Sequence, residues 1–494
     1  MKYLFCFALA FIGGCDDQRS TQKGEPLVSI ARPSRSIELE IPDRHDDRAF
    51  AALRRDAYRR EERFLDALQP GTTWATTRVE QAEINQGRWT IKELYQMGGR
   101  LFDHSFTRSE GLGTRSVSHF QRVHLGDKGS IDALRCSACH WRGGEAGAGD
   151  AADNVYFLGD GDRPSSALER NPPSLVGLGA IELAAQTLSK ALQAQRDQLI
   201  SFTRSAGYAV RESLIVQGIH FGDLTVHADG SVNTEEVIGV DADLIVKPFG
   251  RKGQFSSIRE MVEESLLIHH GLQTEWMVKN GPSTRMGIGE PEDPDEDGVI
   301  REITEGQVTA LTLYLSLQGL PTIEPPEDHR LISKWGRGQS LFESVGCAGC
   351  HSPSITLETT TLKLKDRLSD HILSINLSQE GAQPRISEQL IDGQVVLYLF
   401  SDLKRHQMSE QMADHRSIKG IPGHTFITPP LWGLARSRPY MHDGRAPTIE
   451  DAILLHGGEA QRSQEAFVNL SEEDKGAIRI FLTSLNRAQS FTAR

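Results

Sequence analysis

Cysteine is scarce in this 494-residue chain, six in all, and their placement leaves no disulfide framework. Cys6 lies in an apolar leader, Cys15 follows directly after it, and the other four fall in two short motifs. Long hydrophobic runs are missing too. Beyond the leader, Met1 to Ile12, no segment reaches membrane-spanning length. Positive charge is in deficit, 54 Lys and Arg against 67 Asp and Glu for a net charge of −13, which argues against nucleic acid as a partner. The length exceeds one ordinary core, so two or three domains are expected.

The four remaining cysteines carry the chemistry. They stand in Cys347-Ala348-Gly349-Cys350-His351 and in Cys136-Ser137-Ala138-Cys139-His140. Cys-x-x-Cys-His is the attachment signal for c-type haem: two thiols add to the porphyrin vinyl groups and the adjacent imidazole becomes the proximal iron ligand. A zinc half-site would want a second Cys or His pair at short spacing. A thioredoxin-like pair would want a strand before and a helix after, without the ligand His. Neither pattern is present, and two copies in matching surroundings point to two covalently bound haem c groups.

The leader is a short basic start and a brief apolar run, ending Ile12-Gly13-Gly14-Cys15 in the manner of a bacterial lipobox. The expectation is a lipoprotein signal peptide over 1–14, lipidation of Cys15, and a periplasmic protein held to a membrane through its lipid alone. Residues 15–90 read as a polar tether followed by a charged helix over Ala49 to Leu68. From about Ile91 an internal repeat begins. Gly99-Arg100-Leu101-Phe102 precedes the first haem motif and Gly338-Gln339-Ser340-Leu341-Phe342 the second. Asn171-Pro172-Pro173-Ser174-Leu175 corresponds to Thr428-Pro429-Pro430-Leu431, and Gly253 to Ile258 corresponds to Gly444 to Ile449. Each unit closes with a capped helix, opened by Thr304 and Gln307 or by Ser471 and Asp474. The spacing predicts a mainly α fold: two tandem cytochrome-c-like helical domains, 91–326 and 327–494, joined at Glu324-Pro325-Pro326-Glu327. A small β insertion is expected in the first at about 205–249, with a hairpin signal at Ala228-Asp229-Gly230. Further residues are inserted between His351 and Thr428.

An iron with two strong protein ligands passes electrons, whereas one with an open side binds peroxide or dioxygen. For the second haem the candidate sixth ligands are His406, Met408, Met412, His415, His424, His442 and His456; for the first they include His269 and His270. Asp293-Pro294-Asp295-Glu296-Asp297-Gly298 has the start of a calcium loop without Glu at the twelfth position, and reads equally as an acidic turn before the next helix.

Phe400-Ser401-Asp402-Leu403, Met412-Ala413-Asp414, Thr428 to Leu434, Tyr440-Met441-His442-Asp443-Gly444-Arg445-Ala446 and Leu455 to Ala460 resemble the C-terminal half of the di-haem oxidoreductase family. Phe106 to Gly113 and Pro172 to Glu182 resemble its N-terminal half, so the likeness runs from about Ile91 to the end. The family is related to the bacterial di-haem cytochrome c peroxidases. The resemblance implies His456 as sixth ligand of the second haem, fourteen residues after His442. It implies a reactive first haem whose distal side holds Gln273, where peroxidase relatives carry Glu, with His270, His269, Glu264 and Glu275 as nearby substitutes. Arg251 stands where the family usually has Trp, and Trp141 is a candidate for that electron route or for packing on the porphyrin. A calcium site near Asn171, Ser437 and Pro439 is implied as well. The implied function is an exported oxidoreductase of the cytochrome c peroxidase type. Electrons would come from a small cytochrome, a cupredoxin or a quinone-linked protein, pass from the C-terminal to the N-terminal haem, and reduce a small oxidant such as hydrogen peroxide. The alternatives are an electron-transfer cytochrome without turnover and an oxygenase-like protein.

Overall fold

The computed structural model describes residues 78–113, 131–160, 163–280, 293–295, 297–386 and 390–487. The leader, Cys15, the tether and the Ala49 to Leu68 helix fall outside them. The helices that position the site are α1 (Ile91–Asp103), α2 (Leu178–Ala206), α3 (Ile258–Ser265), α4 (Glu305–Ser316), α5 (His329–Ser344), α6 (Ile449–Leu454) and α7 (Glu472–Thr483). Their starts follow from local chemistry. Thr90 and Glu93 form a capping box on α1, and Thr304 and Gln307 form one on α4. Ser471 accepts from the Asp474 amide at the start of α7. Among the described residues no helix is long and apolar enough to cross a membrane.

The repeat has a matching geometry in both halves. α1 crosses α4 at Gly98, where a Cβ would overlap the Ala310 carbonyl oxygen and the Tyr314 Cβ. α5 crosses α7 at Gly338, where a Cβ would overlap the Ala477 carbonyl in the same way. Glycine is needed at both crossings because the two backbones touch there. Four residues on, Phe102 lies 5.3 Å from Tyr314, and Phe342 lies 5.4 Å from Phe481. Both Phe rings then face the His of the motif, with centroids 6.4 Å from His140 and from His351.

Strands are far more abundant than the sequence reading allows. Helix takes 39% and strand 17% of the described residues, in several small sheets, so the fold is mixed α/β and not mainly α. The strands that matter here are β1 (Val210–Val216), β2 (Ile219–Val226), β3 (Val232–Asn233), β4 (Pro321–Ile323), β5 (Thr361–Lys365), β6 (Ile372–Asn376), β7 (Arg405–Gln407), β8 (Thr425–Ile427) and β9 (Leu485–Arg487). The main departure is the stretch between His351 and Thr428, which was expected only as extra residues. There Thr361-Leu362-Lys363-Leu364-Lys365 buries both leucines and exposes both lysines, a period-2 pattern that makes β5 and pairs it with β6. The insertion in the first half is a β1-β2-β3 sheet. Its main hairpin turns at Gln217 and Gly218, both left-handed, and Asp229-Gly230 supplies the second turn. Beyond β3, Val237 adds a single bridge to Gly222.

The main apolar core runs from Val79 to Leu403 and includes Ile355, Leu362, Leu364, Ile375 and Leu397 from beyond the second motif. A smaller core gathers Phe342, Phe400, Phe467, Ile478, Phe481, Leu482 and Leu485 behind that motif. β4 pairs with β9, which ties the linker to the C-terminal end of the second unit.

Candidate functional site

Both Cys-x-x-Cys-His segments fold as a single 3₁₀ turn, Cys136–Ala138 and Cys347–Gly349. The turn brings the His amide back to the first Cys carbonyl, at 3.2 Å for His140 and 2.9 Å for His351. Two sulfurs and one imidazole are thereby presented together. Burial pushes the Cys136 thiol up to about 12 and the Cys347 thiol up to about 11, so neither is poised as a thiolate nucleophile.

Each imidazole is fixed by its Nδ1. The His140 Nδ1–H points at Pro173 O (3.0 Å) and Gly147 O (3.2 Å), and the His351 Nδ1–H donates to Phe400 O at 3.1 Å. A backbone carbonyl on Nδ1 sets the tautomer and leaves Nε2 as a lone-pair donor. Burial lowers both imidazoles to about 4, which keeps them in the neutral, metal-binding form. The donor set therefore fits haem iron in both halves.

The Phe400-Ser401-Asp402-Leu403 step is the cradle of the second motif. Phe400 offers its carbonyl to His351, the Asp402 amide donates to Cys350 O at 2.9 Å, and the Ser401 hydroxyl donates to Thr428 O at 2.7 Å. Phe400 and Leu403 adopt left-handed backbone to do so. His406 sits between the carboxylates of Asp402 (2.8 Å) and Glu459 (2.7 Å). Burial alone would lower it, but hydrogen bonds to Asp402, Cys350 and Glu459 hold it up at about 11.

Of the seven candidate sixth ligands in the second half, His456 is the one whose ring faces His351. The centroids are 6.4 Å apart. Two imidazoles sharing a metal, each with a metal–nitrogen bond of about 2.0 Å, place their ring centres about 6 Å apart. His456 Nδ1–H donates to Ala452 O at 2.7 Å, so its Nε2 is also free, and burial lowers its pKa. The other candidates are placed elsewhere. His406 is clamped as above. His415 bonds Ser166 O, Met408 donates its amide to His424 O, and Met412 closes a buried turn. His442 stacks on Phe426 at 4.5 Å, accepts the Asn171 amide on its carbonyl, and lies 3.7 Å from Asp414.

The first half differs. α3 continues into a π turn, Leu266–His270, which ends at left-handed Gly271. His269 Nδ1 bonds Asp132 at 2.7 Å. His270 is buried, donates from Nδ1 to Ala133 O at 2.8 Å, and brings Nε2 to 3.7 Å from Cys136 Sγ. Burial lowers it to about 4. Three residues on, Gln273 is 1% exposed and neither its Nε2 nor its Oε1 has a hydrogen-bond partner. A buried amide with both ends unmet is rare and marks a place for another group.

Sequence reasoning missed the carboxyl behind it. Glu302 accepts the backbone N–H of Gln273 at 2.6 Å, is 3% exposed, and is raised well above the usual carboxylate range by burial and by Asp295. Glu275 instead pairs with Arg301 and caps α4 through the Glu305 amide, and Glu264 pairs with Lys419. Trp141 is half exposed and donates to Asp153.

Between the halves lies a buried charged cluster. Arg170 and Lys252 meet Asp414, and Arg251 donates to Asn171 O at 2.7 Å. Asn171 Nδ2 donates to Asp150 O and Asn154 Oδ1, while the Ser437 hydroxyl donates to Gly433 O. A surface cleft of 840 Å³ lined by Glu182, Lys190, Arg259, Trp276, Lys363 and Arg367 contains neither haem motif.

Comparison with curated proteins finds no match. Among solved structures, Kuenenia stuttgartiensis hydrazine synthase pressurized with 20 bar xenon aligns at 19% identity over 36% of this chain, with a TM-score of 0.21. The chain covers 55% of that protein's length. A MauG-like protein associated with microbial copper homeostasis aligns at 13% identity over 80% of this chain and 89% of its own, with a TM-score of 0.33. Neither overlap is close enough to transfer a fold. Residues 329–485 match the family described as "Di-haem oxidoreductase, putative peroxidase", and over that segment the resemblance read from the motifs is borne out.

Proposed function

We propose that the protein is an exported di-haem c-type oxidoreductase of the peroxidase kind, with a sealed site in its C-terminal half and an open, reactive one in its N-terminal half. Cys136 and Cys139, and Cys347 and Cys350, hold the porphyrins, with His140 and His351 as proximal ligands. When bound, the haems supply one-electron storage and transfer, from the C-terminal to the N-terminal one, and reduction of a small oxidant such as hydrogen peroxide there. The observation that carries this reading is the contrast between the paired imidazoles of His351 and His456 and the unmet amide of Gln273.

The residues divide the work accordingly. His456 excludes outside ligands from the second site. His270 and Gln273 border the first site, where the Gln273 amide both donates and accepts and so can orient a small oxidant. It cannot carry a proton, whereas the buried Glu302 carboxyl can. The donor is a small cytochrome, a cupredoxin or a quinone-linked protein, met at a membrane to which a lipid on Cys15 tethers the chain.

The test is reoxidation of the fully reduced holoprotein by hydrogen peroxide, followed by stopped flow. Wild type should be reoxidised in a peroxide-dependent phase. Gln273→Glu should speed that phase by about 10²-fold, the lower end of what a placed proton donor contributes. Reoxidation that is independent of peroxide concentration in both proteins would leave an electron carrier.

A further inference from the structure

We propose that the loop from Asp293 to Gly298 binds calcium through the carboxylates of Asp293, Asp295 and Asp297. Each of the three offers an oxygen within 4.8 Å of the other two. Asp295 is 8% exposed, and both of its carboxylate oxygens are buried without a hydrogen-bond partner. Asp293 Oδ1 is in the same condition. A buried carboxylate without partners is stable only as a neutral acid or beside a cation.

The described positions on either side of Glu296 fit such a loop. Acids at the first, third and fifth positions are followed at the sixth by Gly298, with φ of 91°. The Gly298 amide donates to Asp293 Oδ2 at 3.0 Å and the Val299 amide to Asp297 Oδ1 at 2.7 Å, which fixes these two side chains beside Asp295. An all-oxygen, carboxylate-rich set selects a hard divalent ion. The twelfth position holds Thr304, whose side chain is spent on Val79 O and on the cap of α4, so no bidentate ligand closes the shell. The expected dissociation constant therefore falls in the weak class typical of extracellular modules, about 10⁻⁴ to 10⁻³ M.

The loop is joined to the first haem's surroundings. Five residues after Asp297, Glu302 accepts the Gln273 backbone N–H, and Ile303 bridges Thr274. Occupancy should therefore steady the segment that carries Gln273, a consequence that rests on the functional reading above, as the ion site itself does not.

The test is calorimetric titration of chelator-treated, full-length holoprotein with calcium chloride, and in parallel with magnesium chloride. One calcium per chain is expected, with magnesium weaker and with a calcium-dependent rise in Tm. Asp295→Asn should lower calcium affinity at least tenfold and abolish the rise in Tm. Because Asn removes a buried charge, the variant should melt no lower than the calcium-free wild type, which separates lost binding from misfolding. No saturable heat up to about 10 mM calcium, unchanged affinity in Asp295→Asn, or tighter magnesium would each overturn the site. If calcium binds but the visible spectrum of the first haem is the same with and without it, the link to Gln273 falls and the site stands.

Discussion

The two halves of the molecule share a frame and part at one turn. In each, a glycine lets two helices touch, a Phe four residues later backs the motif His, and a capped helix approaches from the other side. The approach helices start alike, Ser257 capping α3 and Thr448 capping α6. Seven residues after Ile449 comes His456, just past the end of α6 and facing His351. Seven residues after Ile258 comes Ser265, where the chain is still helical and runs on through a π turn to Gly271. The longer helix ends in buried His270 and is followed by Gln273, whose side-chain amide is unsatisfied. π turns are costly and recur at functional sites. On the proposed reading, a change of one turn on a common frame would separate a closed site from an open one.

The comparison can be broken most severely by removing one attachment site at a time. Cys347→Ser with Cys350→Ser should lower the haem content from two to one per chain and leave carbon monoxide binding intact. Cys136→Ser with Cys139→Ser should give the same haem loss and abolish carbon monoxide binding. The pyridine haemochrome assay with a carbon monoxide difference spectrum reads both. His456→Ala comes next. It should make the second half resemble the first, adding a second carbon monoxide site and moving that haem's potential by on the order of 100 mV, since axial ligation is a main lever on it.

A smaller effect is expected at His406, held between the carboxylates of Asp402 and Glu459. Its folded pKa is raised to about 11 by Asp402, Cys350 and Glu459 against the opposing effect of burial. The stability it contributes is therefore complete below about pH 6.5 and is lost as pH rises through 11. His406→Gln leaves the buried Asp402 carboxylate without its cation and should cost about 3 kcal/mol in urea melts at pH 7, the gap to wild type closing in strongly alkaline buffer. The smallest effects test sameness. Gly98→Ala and Gly338→Ala should each cost about 1–3 kcal/mol, because a methyl must be forced between touching backbones. Similar losses in both would support one shared frame, and a loss in only one would deny it.

Much of this contrast was legible in the residues. The two motifs, the matching Gly and Phe before them, and the caps at Thr304 and Ser471 rest on short-range rules, and the structure places them as those rules require. The position of His456 came only through the family resemblance, since seven side chains were equally eligible by spacing. The alternation at Thr361 to Lys365 was readable but was passed over as insertion, and the mainly α expectation failed there. Glu302 could not be picked out, because its burial against Gln273 depends on a pairing between Ile303 and Thr274 that no local pattern announces.

The central claim is that one haem is sealed and the other is open. The most direct measurement is carbon monoxide titration of the dithionite-reduced wild-type protein, scored as ligand bound per haem. The account predicts saturation at one carbon monoxide per two haems. Two per two would mean that His456 does not hold the second iron. None would mean that the first site is closed as well, and that the chain carries electrons without spending them.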